Sequence, residues 1–141
     1  MIEKGIELAP GTIEQVNDFK KKNNYKNLPK SYVDFLLAMG NGTSDFLQGE
    51  SCFFNELPNL QKWGKELLDE DNSHLKLSQK NLVFFMSQGC MFAFFNLDEG
   101  DNPPVYLYRE LSQQEDFKKI TNSFTEFLFR YEAGDEFLFK I

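Results

Sequence analysis

One histidine, one tryptophan and two cysteines are all that this 141-residue chain offers of the side chains most often used for metal binding and nucleophilic chemistry. His74 lies in the polar run Asn72-Ser73-His74, with no second histidine to share a metal and no cysteine nearby. Cys52 and Cys90 sit among apolar neighbours, Phe53 and Phe54 for one and Met91 and Phe92 for the other. They read as two buried free thiols rather than a disulfide or a reactive nucleophile. No Gly-x-Ser-x-Gly elbow, phosphate-cradling Gly-Lys-Ser/Thr loop or dinucleotide glycine fingerprint occurs. Adjacent acids such as Asp98-Glu99 and Asp135-Glu136 fall in turn-like stretches, where solvated carboxylates are the rule. Asp98-Glu99-Gly100-Asp101 lacks the closing glutamate of a calcium loop. The sequence therefore implies no enzyme activity, metal or cofactor.

Long apolar runs are missing as well: none approaches the ~20 residues a membrane span needs. Met1-Ile2-Glu3-Lys4 is not a signal-peptide opening. A cytoplasmic protein with no membrane association is the expectation. Basic side chains are scarce over most of the chain, with 15 Lys and Arg against 22 Asp and Glu, a net charge of −7. The first thirty residues hold six lysines and four acids, so the deficit lies in the remainder. No base occurs between Lys30 and Lys62, where Asp34, Asp45, Glu50 and Glu56 stand. None occurs between Lys80 and Arg109, where Asp98, Glu99 and Asp101 stand. Such a surface repels phosphate, which argues against direct nucleic-acid binding. It suits solubility first, and after that a partner with a basic face.

What the chain has in abundance is phenylalanine, sixteen residues of it. Each buried ring removes roughly 150–250 Å² from water, so these rings can fill the core of one domain spanning residues 1–141. Thr12 and Gln15 have capping-box spacing ahead of Ile13, Val16 and Phe19, which predicts a first helix ending near Lys20-Lys21-Lys22. Pro29 suits the first position of a second helix, with Tyr32, Phe35, Leu36 and Met39 at i, i+3, i+4 and i+7 and Gly40-Asn41-Gly42 as its stop. Ser51–Asn55 reads as a short strand. Pro58 opens a third helix with Leu60, Trp63, Gly64, Leu67 and Leu68 on one side, halted by Asp69-Glu70-Asp71.

Leu82–Ser87 and Cys90–Leu97 are apolar at successive positions, as strands covered on both faces are, with a hairpin turn at Gln88-Gly89. Pro103-Pro104 leads into a third strand, Val105–Arg109. Ser123 and Glu126 cap a last helix with Phe124, Phe127, Leu128 and Tyr131 inward and Gly134 at its end. The tail from Phe137 pairs or packs. The fold class is α+β: an antiparallel or mixed sheet with a central three-strand meander, covered by about four helices.

Leu28-Pro29-Lys30-Ser31-Tyr32-Val33-Asp34-Phe35-Leu36, closed by Asn41-Gly42, resembles the signature of the SUKH superfamily, the Smi/Knr-type immunity protein family. The preceding helix, the apolar hairpin, Pro104-Val105-Tyr106 and Ser123-Phe124-x-x-Phe127-Leu128 follow in that family's order. The resemblance implies the same α+β domain and a non-enzymatic role in protein binding. It points to an immunity protein that neutralises a cognate polymorphic toxin, often a nuclease. The alternative is a regulatory scaffold of the cell-wall-regulator branch with no toxin partner. Candidate contact residues are the acids Asp45, Glu50, Glu56, Asp98, Glu99 and Asp101, with Trp63, Tyr106 and Tyr108 as aromatic anchors or, equally, as core. A basic toxin surface is the expected partner, and the oligomeric state is left at monomer or weak dimer.

Overall fold

Thr12 and Gln15 do what their spacing dictates. In a computed structural model of the chain, describing residues 7–44, 46–47 and 49–140, the Thr12 hydroxyl accepts from Gln15 N and the Gln15 side chain accepts from Thr12 N. Helix α1 then runs Ile13–Lys22 and buries Val16 and Phe19. Ile13 is exposed, so the inward stripe begins one turn later than its apolar character implied.

Helix α2, Lys30–Met39, buries Tyr32, Phe35, Leu36 and Met39, the four positions of the apolar face. Pro29 is its N-cap rather than its first helical residue, and the Pro29 carbonyl accepts from Tyr32 N and Val33 N. The exit also departs from expectation. Gly40 remains right-handed at φ −61°, and it is Gly42 that turns positive, at φ 119°. Gly40 is needed for room, since a Cβ there would run into Leu36 O and the Phe54 ring.

Ser51–Asn55 is not a strand. Ser51 makes one isolated bridge to Met86, and then Glu56 N and Leu57 N both turn back to the Phe53 carbonyl. That turn commits the segment to helix α3, Leu57–Glu70, with Pro58 in its first turn and Leu57, Leu60, Gly64, Leu67 and Leu68 buried. The helix ends at the acidic run as expected, with Asp71 as its C-cap.

The sheet has four strands rather than three, β1 Asn81–Ser87, β2 Met91–Asn96, β3 Val105–Arg109 and β4 Lys118–Thr121. They lie in sequence order and every neighbouring pair is antiparallel. Strand β4 is four residues long and carries Lys118 and Lys119, so no alternation of apolar and polar residues marked it. Short length and edge lysines are common ways to blunt an edge strand. The β1–β2 turn closes by Cys90 N donating to Ser87 O at 3.0 Å. Its central residues Gln88 and Gly89 have φ 51° and 73°, the positive pair a type I′ hairpin requires.

Both faces of the sheet are covered. A bulge between Val83 and Phe85 turns the consecutive rings Phe84 and Phe85 to the same side, with centroids 5.3 and 5.5 Å from Phe127. Phe127 belongs to helix α4, Phe124–Glu132. Tyr32 of α2 joins this layer, 5.0 Å from Phe95 and 5.5 Å from Phe124. On the opposite face Phe92, Phe94, Tyr106 and Tyr108 gather round Phe117. Gly64 of α3 lets that helix approach Leu77, Val83 and Phe92. Ser123 caps α4 by accepting from Glu126 N, while the Glu126 carboxylate takes Asn122 N, one residue earlier than a full capping box. The tail packs rather than pairs: Leu138 is buried and Phe139 stacks on Phe85.

Candidate protein-binding surface

Between α2 and α3 the chain passes under the end of the sheet that carries the β1–β2 turn. Phe46 and Leu47 plug this segment into the core, and Phe46 meets Tyr131 of α4 edge-on at 5.7 Å. The Ser51–Met86 bridge fixes the segment alongside the last residues of β1. Glu50 therefore arrives between two elements and accepts from Ser87 Oγ at 3.0 Å and from the Tyr131 hydroxyl at 3.2 Å. Glu56 accepts from Ser51 Oγ at 2.9 Å.

Two open clefts result, sharing Gly49, Ser51 and Glu56. One, of about 340 Å³, includes Asn41, Glu50 and Asn55. The other, of about 440 Å³, is walled by Trp63, Glu66, Leu67 and Glu70 of α3 and by Met86, Gln88 and Gly89. Among the described residues, no lysine, arginine or histidine lines either cleft. Glu66 and Glu70 were not among the residues picked from sequence. Their signal was present, since Trp63, Glu66 and Glu70 are spaced i, i+3 and i+7 on a helix and so share a face.

Three of the candidate acids are elsewhere. Asp98, Glu99 and Asp101 occupy the β2–β3 loop at the other end of the sheet, and β1 alone spans roughly 20 Å between the two ends. Glu99 accepts from Asn96 Nδ2 at 2.6 Å and from the Tyr106 hydroxyl at 3.1 Å, and Asp98 pairs with Lys80 at 3.4 Å. The Asp101 carbonyl accepts from Ser31 N, tying this loop to the start of α2. Asp45 lies outside the described residues. Tyr108 is 2% exposed and takes the core role that the sequence left open, whereas Tyr106 and Trp63 are half-buried.

Burial holds Tyr106, Tyr108 and Cys52 in their neutral forms. Burial pushes the Tyr108 hydroxyl up to about 12, helped by its hydrogen bond to Asp71. Burial and then the hydrogen bond to Glu99 raise Tyr106. Burial, with the Glu50 and Glu56 charges behind it, raises the Cys52 thiol, so it does not supply the thiolate that nucleophilic catalysis needs. Cys90, expected to be buried, is half-exposed, and its thiol donates to the Ser87 carbonyl at 3.3 Å. The exposed His74 ring donates from Nε2 to the Glu115 carbonyl at 2.7 Å. No group of three or more His, Cys, Asp or Glu side chains is placed to hold a metal among the described residues. No helix among them is long and apolar enough to cross a membrane.

A four-strand antiparallel sheet with helices on both faces, offering clefts of carboxylates and one tryptophan, defines an α+β domain with the means for recognition. The chain matches the SMI1 / KNR4 family (SUKH-1) over residues 10–130 and belongs to that family. The match runs from the approach to α1 well into α4 and thus covers the whole sheet. Among curated proteins, none matches this chain.

Proposed function

We propose that this protein is a cytoplasmic immunity protein, binding and neutralising a toxin that presents a basic surface, without itself making or breaking a bond. Family membership supports a protein-binding role in general. The observation that carries the finer reading is the pair of adjoining clefts beside the β1–β2 turn, walled by Glu50, Glu56, Glu66, Glu70 and Trp63 and, among the described residues, by no base. Carboxylates so placed steer a cationic surface and pair with its lysines and arginines. Trp63 adds the flat ring on which such cations and apolar side chains rest. A polymorphic toxin such as a nuclease, which must itself attract an anionic substrate, has the complementary charge.

The test is co-purification with the protein encoded by the adjacent gene, followed by calorimetry at rising salt. Affinity should fall as ionic strength rises. The variant carrying Glu56→Gln, Glu66→Gln and Glu70→Gln should lose about tenfold or more, with its melting temperature retained. Equal binding by that variant, or binding indifferent to salt, would contradict the reading. Capture of a cellular regulatory protein in place of the adjacent gene product would favour the cell-wall-regulator alternative.

A further inference from the structure

Leu111 adopts a backbone conformation that its side chain does not suit, and it shows that side chain to water. Its φ is 58°, a left-handed value rarely adopted by bulky residues because Cβ crowds the neighbouring carbonyl. The residue is 82% exposed. A lone exposed leucine is ordinary, and so is a turn residue at positive φ when it is glycine or asparagine. The combination is not, because no burial within the chain offsets the strain.

The turn beneath Leu111 is firmly held. Leu111 N donates to Asp71 Oδ2 at 2.9 Å, the same oxygen that receives the Tyr108 hydroxyl. Glu110 N donates to the Cys90 carbonyl at 2.8 Å. Gln114 accepts from Arg109 N at 2.8 Å and donates to the Leu107 carbonyl at 3.0 Å. An apolar side chain on so fixed a mount loses little freedom when it enters a pocket, which is the advantage of preorganisation.

Its position is also informative. The bond to Cys90 sets the loop beside the β1–β2 turn, and the bond to Asp71 sets it at the end of α3, just past Glu66 and Glu70. We infer that Leu111 is the apolar anchor of the rim that carries those clefts, inserting into a hydrophobic pocket on a protein partner. This rests on the proposed function and names the contact at its centre. The partner pocket is flanked by basic side chains, because the cleft of about 400 Å³ that Leu111 borders holds the carboxylates Asp71 and Glu115 beside His74 and, among the described residues, no lysine or arginine. Leu111 escaped the sequence reading because one leucine in a polar loop has no pattern.

The decisive comparison uses Leu111→Gly and Leu111→Asn, residues that suit positive φ, against the wild-type chain. Melting temperature should hold or rise by about 3 °C, while affinity for the protein encoded by the adjacent gene falls about tenfold or more. A melting temperature lowered by both substitutions would show that Leu111 serves the fold and would overturn the inference. Unchanged affinity in both variants would overturn it too, leaving the proposed function intact. An adjacent gene product that fails to bind the wild-type chain would remove the proposed function and this inference together.

Discussion

Asp71 and Tyr108 stand 37 residues apart in the chain and meet at 2.5 Å, the buried phenol donating to the carboxylate. Because the same carboxylate oxygen also takes Leu111 N, one side chain at the end of α3 fixes both β3 and the β3–β4 loop. Asp71→Ala should leave the Tyr108 hydroxyl without its acceptor, a loss of about 1–3 kcal/mol in stability. The loop from Glu110 to Asp116 should become the first site of limited proteolysis. Urea unfolding and mapping of the cleavage sites check both; a variant as stable and as resistant as wild type would show the bond to be incidental.

Alkali should weaken the fold in a defined window. Tyr108 is pushed up to about 12, and Tyr32, Tyr106 and Tyr131 are raised as well, with burial the leading cause in each. Unfolded tyrosine loses its proton near pH 10. Between that pH and the raised folded values the unfolded chain binds fewer protons than the folded one, so stability falls as pH rises. These contributions are complete below about pH 10. Melting curves from pH 8 to 12, read beside tyrosinate absorbance, should show the loss begin near pH 10. Tyrosines that all titrate near pH 10 in the still-folded protein would refute it.

Two buried neighbours on α2 should respond in opposite directions. Leu36 is completely buried, and Leu36→Ala should lower stability by about 2–5 kcal/mol through lost contact and a residual cavity. Tyr32 is as deeply buried, yet its hydroxyl has no hydrogen-bond partner among the described residues. Tyr32→Phe removes an unpaired polar atom and keeps the ring against Phe95 and Phe124, so it should be neutral or stabilising by about 1 kcal/mol. Denaturant unfolding of the two variants side by side is the measurement. A marked loss in Tyr32→Phe would mean that an ordered water or another group satisfies the hydroxyl.

Much of this architecture is written in local spacing. Thr12 with Gln15, Gln88-Gly89 and Ser123 with Glu126 are each satisfied within a few residues of themselves, and the Tyr32/Phe35/Leu36/Met39 face is set by helical period alone. The features that escaped are those in which one segment is defined by another. Strand β4 exists because β3 offers it a ladder, and Lys118-Lys119 alone gives no period. Ser51–Asn55 read as a short strand, but the Phe53 carbonyl is claimed by Glu56 and Leu57 as α3 begins. Gly40 looked like a left-handed cap, and only the nearby Phe54 ring reveals that it is needed for space.

The candidate site divides in the same way. Composition already established an acidic surface with few groups for chemistry, because charge and side-chain type are properties of residues and survive any folding. Which acids share a surface was decided by the sheet. Its antiparallel strands carry Asp98, Glu99 and Asp101 to one end and bring Glu50, Glu56, Glu66 and Glu70 to the other. The same topology buried Tyr108 and exposed Leu111 three residues later. Periodicity reports how a segment meets its own neighbours along the chain; which surface it finally shares is set by partners dozens of residues away, and that information exists only once the strands have paired.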